Sequence, residues 1–315
     1  MNKIILSVII PVYNEEGSVL ELYGQIKNSV LEIIKKGKIS SYEIIFINDG
    51  SIDRTQRILE EIAKKDKSLG VIQLKKNFGQ TAALRAGFDV ARGDLIVTMD
   101  GDLQNDPADI TNLIDKLNEG YDVVSGWRYK REDRFFKKIL SKSMNSLRKW
   151  LIGDSLHDYG CSLKIYKKEC IRDLELFGEL HRYITAYLYI KGYKIGEIKV
   201  SHRLRITGKT KYRFNRGING ILDLFYLKFW SDFSDRPLHF FGRLGIYQWV
   251  LALIIGIEQI IKALIMQELR FGPLLALGSM LVITGLLFVI FGFLSEMISR
   301  SYFKEEKIYS IKKIL

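Results

Sequence analysis

Near its C-terminus the chain carries few charges between residues 238 and 297. Two apolar runs, 244–266 and 273–297, are separated only by the short polar segment 267–270. Each run is long enough to cross about 30 Å of hydrocarbon at about 1.5 Å per helical residue. Two buried core helices are the alternative, but little else in a chain of 315 residues could surround two helices that are apolar all round. The pattern therefore predicts a transmembrane helical hairpin.

Basic residues flank this predicted hairpin, whereas its outer turn has only Arg270. They are Arg236 and Arg243 before it, and Arg300, Lys304, Lys307, Lys312 and Lys313 after it. Because cytoplasmic flanks are enriched in Lys and Arg, both ends are expected to face the cytoplasm. The first ten residues are too short for a signal peptide. The sequence thus predicts a multi-pass protein of the cytoplasmic (inner) membrane, with its N-terminal domain on the cytoplasmic face.

A formal net charge of +12 and a pI near 9.4 require an anionic partner or surface. Nucleic acid, anionic lipid and phosphorylated substrates all meet that requirement. No nucleic-acid-binding motif is recognisable, so no nucleic acid partner is expected and the lipid bilayer is favoured. Cys161 and Cys170 lack metal-ligand spacing, which predicts reduced thiols rather than a zinc site.

Before the apolar runs, short Val- and Ile-rich segments alternate with helical patterns. The predicted strands are 6–10, 42–47, 71–74, 95–99 and 123–125, and the predicted helices are 18–35, 53–65, 80–91 and 107–118. Asp106 and Pro107 form a helix start signal for the last of these helices. The repeated strand–helix order predicts an α/β fold with a doubly wound, mostly parallel sheet.

Polar segments follow four of the predicted strands, at 11–15, 48–51, 77–79 and 100–104. Each taken singly is typical of a turn. Ligands of parallel sheets bind at the carboxyl ends of the strands, so the four segments together predict a site along one edge.

Asp100 and Asp102 follow a buried strand with only a glycine between them, which turn chemistry does not require. A divalent cation such as Mg²⁺ or Mn²⁺ binds through one or two carboxylates together with waters and substrate phosphates. The pair therefore predicts a metal site that neutralises charge on a leaving diphosphate, with Gln104 in reach of the metal.

In combination, these motifs resemble glycosyltransferase family 2. Within it they are similar to the polyprenyl-phosphate glycosyltransferases, such as the bactoprenol glucosyltransferases and dolichyl-phosphate mannose synthase. The resemblance covers nearly the whole chain and lies in VIIPVYNEE at 8–16, NDGSID at 48–53, NFG at 77–79, MDGDLQ at 99–104 and the C-terminal helix pair. It departs from the family in Asn48, where Asp is usual, and in one inserted residue within Gln104-Asn105-Asp106-Pro107.

The resemblance implies a GT-A sheet and an inverting, metal-dependent transfer from a nucleotide sugar to a polyprenyl phosphate. Asp100, Asp102 and Gln104 would serve the metal and the diphosphate. UDP-glucose is favoured as donor because the helix pair resembles that of bacterial glucosyltransferases, and GDP-mannose comes next. The implied donor-binding residues are Pro11, Tyr13, Asn14, Glu15, Asp49, Asn77, Asp100, Gln104, Arg205 and Lys211.

Acceptor binding is expected from the second half of the domain. Segment 135–151 alternates basic and apolar residues, which favours a helix in the membrane interface over an ordinary surface helix. By the resemblance, the lipid phosphate would be held by Arg128, Lys137 and Ser141. The loop 203–212 is similar to the family's basic segment and predicts a phosphate clamp that includes Lys209.

Asp158 occupies the position of a carboxylate that the family often uses as a general base. A phosphate monoester is largely dianionic at pH 7 and is already a nucleophile, so Asp158 is expected to orient substrate instead. With Asp100, Asp102 and Arg128 it completes the predicted catalytic set.

The expected domains are a catalytic domain at 1–215, an interfacial helix and linker at 216–237, two transmembrane helices at 238–300 and a basic tail at 301–315. A homo-oligomer through the membrane helices is also expected by resemblance. A processive synthase is disfavoured because the Gln-x-x-Arg-Trp segment is absent from the sequence. A non-catalytic membrane adaptor that binds nucleotide sugar or lipid remains the alternative, although the intact Asp100, Asp102 and Gln104 argue against it.

Overall fold

The computed structural model of the protein describes residues 4–129, 149, 151–153, 156–172, 174, 176, 178–203, 215–234, 236–267 and 272–302. The chain forms two compact units, Met1–Phe225 and Tyr226–Leu315.

The first unit is built on one mixed sheet, in the spatial order β3-β2-β1-β4-β6-β5-β7. Its strands are β1 (Ile5–Val12), β2 (Ser41–Asn48), β3 (Leu69–Gln73), β4 (Leu95–Thr98), β5 (Val123–Trp127), β6 (Lys164–Lys167) and β7 (Ile195–Lys199). All neighbours are parallel except β6, which is antiparallel to both β4 and β5. The predicted doubly wound, mostly parallel sheet is confirmed, and the five predicted strands are present with small shifts at their ends.

Helices cover both faces of this sheet, and the predicted helices are present with small shifts. They are α1 (Val19–Lys35), α2 (Thr55–Ala63), α3 (Gln80–Val90), α4 (Ile110–Asn118), α5 (Lys168–Arg172) and α6 (Ile184–Ile190). The helix predicted to begin at Pro107 starts as a 3₁₀ turn, Pro107–Asp109, the tighter form common at helix N-termini. Asp106 caps that turn as predicted, because its carboxylate accepts a 3.0 Å hydrogen bond from the Ala108 N–H.

The central strands are buried on both faces, which explains their continuous apolar runs. Ile9 and Ile10 of β1, Ile44 and Ile47 of β2, and Ile96 of β4 are each fully buried. Isoleucine side chains have a restricted χ1 angle and pack well on the pleated surface of a sheet. The sheet therefore forms a rigid base for the loops at its carboxyl edge.

The strand register brings the four polar segments together. Val12, the last residue of β1, lies opposite Asn48, the last residue of β2, and Asn48 lies opposite Gln73. Ile9 of β1 pairs with Thr98 at the end of β4. The segments that follow these strands therefore share one edge, as the sequence predicts.

The second unit contains the C-terminal part of α7 (Asn215–Phe233), followed by α8 (Pro237–Met266) and α9 (Pro273–Tyr302). Helices α8 and α9 are long and apolar enough to cross a membrane, by length and composition. They pack as an antiparallel pair in close contact, since a Cβ on Gly245 would lie 2.7 Å from the Gly285 carbonyl oxygen. Small residues permit such an approach between membrane helices.

Polar groups on the two long helices find partners within the unit. The Trp249 indole N–H donates to the Val282 carbonyl at 3.1 Å, and Thr284 Oγ1 lies 2.8 Å from Gln248 Oε1. Glu258 and Lys262 form the ion pair expected from their spacing along α8. Hydrogen-bonded partners of this kind lower the cost of polar groups in a membrane.

Helix α3 packs closely on the sheet at Gly87, and a substitution there tests this packing. A Cβ at this position would lie 2.5 Å from Ile9 Cγ2 and 2.9 Å from Ile47 Cδ1. We expect Gly87→Ala to lower the free energy of unfolding by about 1–3 kcal/mol, because the added methyl overpacks the core. Thermal unfolding of the detergent-solubilised chain, followed by tryptophan fluorescence, measures the change.

The matched control is Gly24→Ala in α1, where a Cβ meets nothing within 4 Å. Alanine favours a helix over glycine by up to about 1 kcal/mol, so this variant should be as stable as the unmutated chain or slightly more so. Equal effects of the two substitutions would contradict the packing explanation.

Candidate active site

The loop after β1 is tied to the loop after β2 through Asn14. Its backbone N–H donates to Ser51 Oγ at 2.9 Å, and its side-chain oxygen accepts from the Ile52 N–H at 2.9 Å. Asn14 has a φ of 56°, a left-handed conformation that asparagine tolerates better than most residues. Asn14 thus holds the loops that follow β1 and β2 together at the edge of the sheet.

The same loop also reaches the metal motif. Ser18 Oγ donates to the Gly101 carbonyl at 2.8 Å and lies 3.1 Å from Glu15 Oε2. The predicted donor-binding residues Pro11, Tyr13 and Glu15 keep part of their surface exposed here. The loop that carries them is therefore hydrogen-bonded, through Ser18, to the glycine between the two aspartates.

Asp49 is buried, and its carboxylate holds the third polar segment. It accepts hydrogen bonds from the Phe78 N–H at 2.7 Å and from the Gly79 N–H at 2.9 Å. Gly50 follows with a φ of 69°, and a Cβ there would lie 2.4 Å from the Lys76 carbonyl carbon. Asp49 thus fixes the backbone next to Asn77, in addition to any contact with a nucleotide.

Asp100 and Asp102 lie just beyond the end of β4, as predicted. The glycine between them is required, because a Cβ on Gly101 would lie 2.6 Å from Val12 Cγ1. Asp102 is 9% exposed, and its Oδ1 accepts a 3.2 Å hydrogen bond from the Gln104 N–H. Leu103, between the two, has a φ of 61°, an uncommon conformation that concentrates at functional sites.

Burial, followed by the negative charge of Asp102, raises the pKa of Asp100 above its ordinary value. Two carboxylates that repel each other in poorly solvated surroundings are a donor set that suits a divalent cation. Among the residues that the structure describes, no three His, Cys, Asp or Glu side chains come together as a metal site. Mg²⁺ usually binds through one or two carboxylates together with waters and substrate phosphates, which the two aspartates allow.

The backbone N–H of Gln104 donates to Asp102, and its side-chain amide lies beside His202 and Arg203. Its Nε2 lies 3.4 Å from the Arg203 carbonyl oxygen and 3.5 Å from His202 Nε2. Its predicted contact with a metal stays a prediction.

Arg128 and Asp158, predicted separately, form one ion pair. Arg128 Nε and Nη2 donate to the two Asp158 oxygens at 2.7 and 2.9 Å, and both side chains are mostly buried. Burial opposes the charge, but the hydrogen bonds and charge of Asp158 raise the pKa of Arg128 above its ordinary value. Gly160 leaves the necessary space, since a Cβ there would lie 2.8 Å from Arg128 Nη2.

Two further charged residues, which no sequence pattern indicates, hold the segment around Asp158. Glu197, in β7, accepts hydrogen bonds from the backbone N–H groups of His157 and Asp158 at 2.9–3.1 Å. Lys164, in β6, is 3% exposed and donates to the carbonyl oxygens of Tyr159 and Cys161. Burial lowers the pKa of Lys164 below its ordinary value. A lysine and a glutamate in ordinary strand patterns do not indicate such contacts.

Five predicted ligand-binding residues lie outside the described residues. They are Lys137 and Ser141 of the acceptor prediction, and Arg205, Lys209 and Lys211 of the basic loop. The predicted interfacial helix at 135–151 also lies outside them, except for residues 149 and 151.

Solved structures share the sheet described above. Glucosyl-3-phosphoglycerate synthase from Mycobacterium tuberculosis, in complex with uridine diphosphate, superposes with a TM-score of 0.55 at 18% identity. The match covers 71% of this chain and 80% of that one. The same enzyme with Mn²⁺ and UDP-glucose gives a TM-score of 0.53 at 18% identity, over 71% and 79% of the two chains. At this identity the likeness shows the fold, which is of the GT-A type.

Sequence comparison extends further along the chain. The family described as Glycosyl transferase family 2 matches residues 7–175. A protein from Rhizobium johnstonii, dodecaprenyl-phosphate galacturonate synthase, is 38% identical over 310 residues, which cover 96% of this chain and 89% of that protein. The chain therefore belongs to glycosyl transferase family 2 and is a glycosyltransferase with a GT-A fold.

Proposed function

We propose that this glycosyltransferase moves a sugar from a nucleotide-sugar donor to a polyprenyl phosphate. The observation that carries the proposal is the occurrence in one chain of the Asp100–Asp102 edge and of two helices apolar enough to cross a membrane. Transfer to an acceptor whose phosphate lies at a membrane surface requires a site for the donor diphosphate and a means of holding the enzyme at the membrane. The relative that matches nearly the whole chain is named for a sugar on dodecaprenyl phosphate, which supports the same acceptor class.

The donor sugar that we propose is a hexuronate such as galacturonate, on a uridine diphosphate. The sugar follows the name of the Rhizobium relative, whose identity extends over both the catalytic and the apolar part of the chain. UDP-glucose and GDP-mannose, the donors expected from the sequence, become the comparison substrates. The base and ribose would lie on the loops of Tyr13 and Asp49, next to Asn77.

Asp100 and Asp102 would hold Mg²⁺ or Mn²⁺ together with the donor diphosphate. When bound, this cation would neutralise negative charge on the departing diphosphate. The buried position of Asp102 and the raised pKa of Asp100, caused by burial and then by its neighbour's charge, support this assignment.

The proposed reaction is a single in-line displacement. A phosphate oxygen of the lipid attacks the anomeric carbon of the sugar, and the bond from that carbon to the diphosphate breaks with its electron pair. The nucleoside diphosphate leaves, and the product is an inverted polyprenyl-phospho-sugar. The attacking phosphate is largely dianionic at pH 7, so little proton removal is needed.

Asp158 accordingly acts in this proposal as a positioning residue rather than a general base. Its carboxylate accepts hydrogen bonds from Arg128 and from the Gly160 N–H at 3.0 Å, so it holds the guanidinium in a fixed direction. Arg128 would then direct its remaining N–H groups toward the lipid phosphate, with Lys137, Ser141 and the basic loop around Lys209 as the other proposed anion ligands.

We further propose that α8 and α9 span the cytoplasmic membrane twice, with the catalytic domain on the cytoplasmic face. The proposed domain boundary after residue 215 lies at the first residue of α7, whereas the division between the two compact units follows Phe225 within that helix. That helix exposes Leu222, Phe225 and Tyr226, which suits the interfacial position expected for 216–237. A homo-oligomer through the membrane helices belongs to the same proposal.

The direct test uses purified full-length protein, Mn²⁺, a polyprenyl phosphate, and UDP-galacturonate, UDP-glucose or GDP-mannose. We expect lipid-linked product from UDP-galacturonate at a rate at least about tenfold above the other donors, since a site built for a carboxylate discriminates strongly against its absence. Product from UDP-glucose alone would correct the sugar, and no product from any donor would favour the non-catalytic adaptor.

Asp102→Asn tests the metal carboxylate. Loss of the charge should lower the Mn²⁺-dependent rate of transfer by at least about 100-fold, as for removal of a group that stabilises a developing charge. The unfolding temperature should not fall, because the substitution removes a repulsion with Asp100 and the new amide oxygen can still accept the Gln104 N–H bond. Product formation and thermal unfolding are measured on the same sample.

The matched control is Asp115→Asn, since Asp115 is an exposed aspartate on α4 that pairs only at the surface with Lys38. It should transfer sugar at the unmutated rate. Full activity in Asp102→Asn would remove that carboxylate from the mechanism.

The ion pair between Arg128 and Asp158 is tested by a double-mutant cycle. Arg128→Met or Asp158→Asn alone leaves a mostly buried charge without its partner and should cost about 3–5 kcal/mol of stability. The double variant should cost less than the sum of the two, by about 1–3 kcal/mol. Thermal unfolding of the four proteins gives the coupling.

The same cycle separates the two roles of Asp158. If Asp158→Asn abolished transfer while its unfolding temperature and that of Arg128→Met stayed unchanged, a general-base role would replace the positioning role.

A further inference from the structure

Two neighbours that no motif includes hold the carboxylate of Asp100. Gln80 Nε2 donates to Asp100 Oδ1 at 2.8 Å, and the Ser162 hydroxyl is a neighbour of the same carboxyl group that partly offsets the rise in its pKa. Gln80 comes from the first turn of α3, and Ser162 comes from the segment that precedes β6. The carboxylate is thereby held from two different parts of the chain.

The hydroxyl group of Ser162 is oriented by a third residue. Asn105 is 3% exposed, and its Nδ2 donates to Ser162 Oγ at 2.8 Å. The Ser162 carbonyl accepts from Thr98 Oγ1 at 2.9 Å, which fixes the backbone of the serine against β4. Because the hydroxyl already accepts from Asn105, its single proton is available for Asp100. The three side chains form a directed relay.

The backbone position of Gln80 is also restrained, because Gln80 directly follows two residues whose N–H groups bond to Asp49. The N–H groups of Phe78 and Gly79 donate to the Asp49 carboxylate, and the next residue in the chain is Gln80. Three consecutive residues therefore join the carboxylate at the end of β2 to the carboxylate beyond the end of β4. The geometry couples the proposed nucleotide loop to the proposed metal ligand.

We propose that Gln80 and Ser162 are positioning residues that set the affinity of the Asp100–Asp102 pair for a divalent cation. The inference rests on the proposed metal site and deepens it. A carboxylate offers about four lone-pair positions, so the Gln80 hydrogen bond and the neighbouring Ser162 hydroxyl can orient Asp100 and still leave positions for a cation. Outer hydrogen-bonding partners of this kind typically change metal affinity by about 10–100-fold.

Without these two donors, the carboxylate of Asp100 would be free to rotate away from Asp102, whose negative charge repels it. A cation would then have to bring the two groups back together and would lose affinity in doing so. The free protein loses this orientation and the loaded protein regains it at a cost, so the effect is measured as a change in the dissociation constant for the cation without any turnover.

The experiment titrates Mn²⁺ into full-length, detergent-solubilised protein, with and without UDP, and measures free Mn²⁺ by electron paramagnetic resonance. We expect Gln80→Leu and Ser162→Ala each to raise the dissociation constant of Mn²⁺ by about 10–100-fold. Ser162→Thr keeps the hydroxyl and should restore binding to within about threefold. Gln73→Leu, an exposed glutamine at the end of β3, should bind Mn²⁺ as the unmutated chain does.

A dissociation constant for Mn²⁺ that stays within about twofold in both Gln80→Leu and Ser162→Ala would overturn the inference. If either variant fails to fold, Asn105→Ala provides the test, because it removes the relay without altering a group that contacts Asp100. Weaker Mn²⁺ binding in Asn105→Ala, with an unchanged unfolding temperature, supports the proposal, and unchanged binding contradicts it.

Failure of the proposed function is distinguishable from failure of this inference. If the unmutated chain binds Mn²⁺ through Asp102 but transfers no sugar to polyprenyl phosphate, the acceptor assignment is wrong and the positioning role is untouched. If it transfers sugar normally and the variants bind Mn²⁺ normally, only the positioning role is wrong.

Discussion

Repulsion between Asp100 and Asp102 is the constraint on which the carboxyl edge depends. The two carboxylates are separated by a glycine in close contact with Val12, which holds the backbone of both residues against the end of β1. Positive charge from Arg128 and Lys164 offsets part of the repulsion, although burial and Asp102 still raise the pKa of Asp100. A divalent cation would neutralise the rest.

Most polar side chains of the edge are used first to hold one another in place. Asp49 holds the backbone at Phe78, and Asn14 bridges to the loop after β2. Glu197 and Lys164 act in the same way on the segment around Asp158. Buried backbone N–H and carbonyl groups must find partners, and a crowded edge without regular hydrogen bonds finds them in side chains. The result is a preorganised site, in which a substrate meets groups whose directions are already set.

The long helices solve a related problem in different surroundings. In the proposed membrane position hydrocarbon would satisfy no backbone group; α8 and α9 bond internally, and glycines at their contact let the two backbones approach closely. Membrane helices gain little from burying apolar surface against each other, and close packing takes its place. The polar contacts of Trp249 and Thr284 contribute further pairing.

The sequence by itself determined most of the elements, because hydrophobic period and length are local properties. It placed β1 to β5, the helix pair, the Asp106 cap and the edge on which Asp100 and Asp102 lie, whereas β6 and β7 were not predicted. Only the tertiary structure decided which hydrogen bonds and ion pairs those residues form with one another. It turned Arg128 and Asp158 into one ion pair and assigned Gln80, Ser162 and Lys164 to the site. Such contacts join residues far apart in the chain through the strand order, in which β6 runs antiparallel between β4 and β5. No periodicity within a segment carries that information, since a hydrogen bond depends on positions that only the folded sheet brings within about 3 Å.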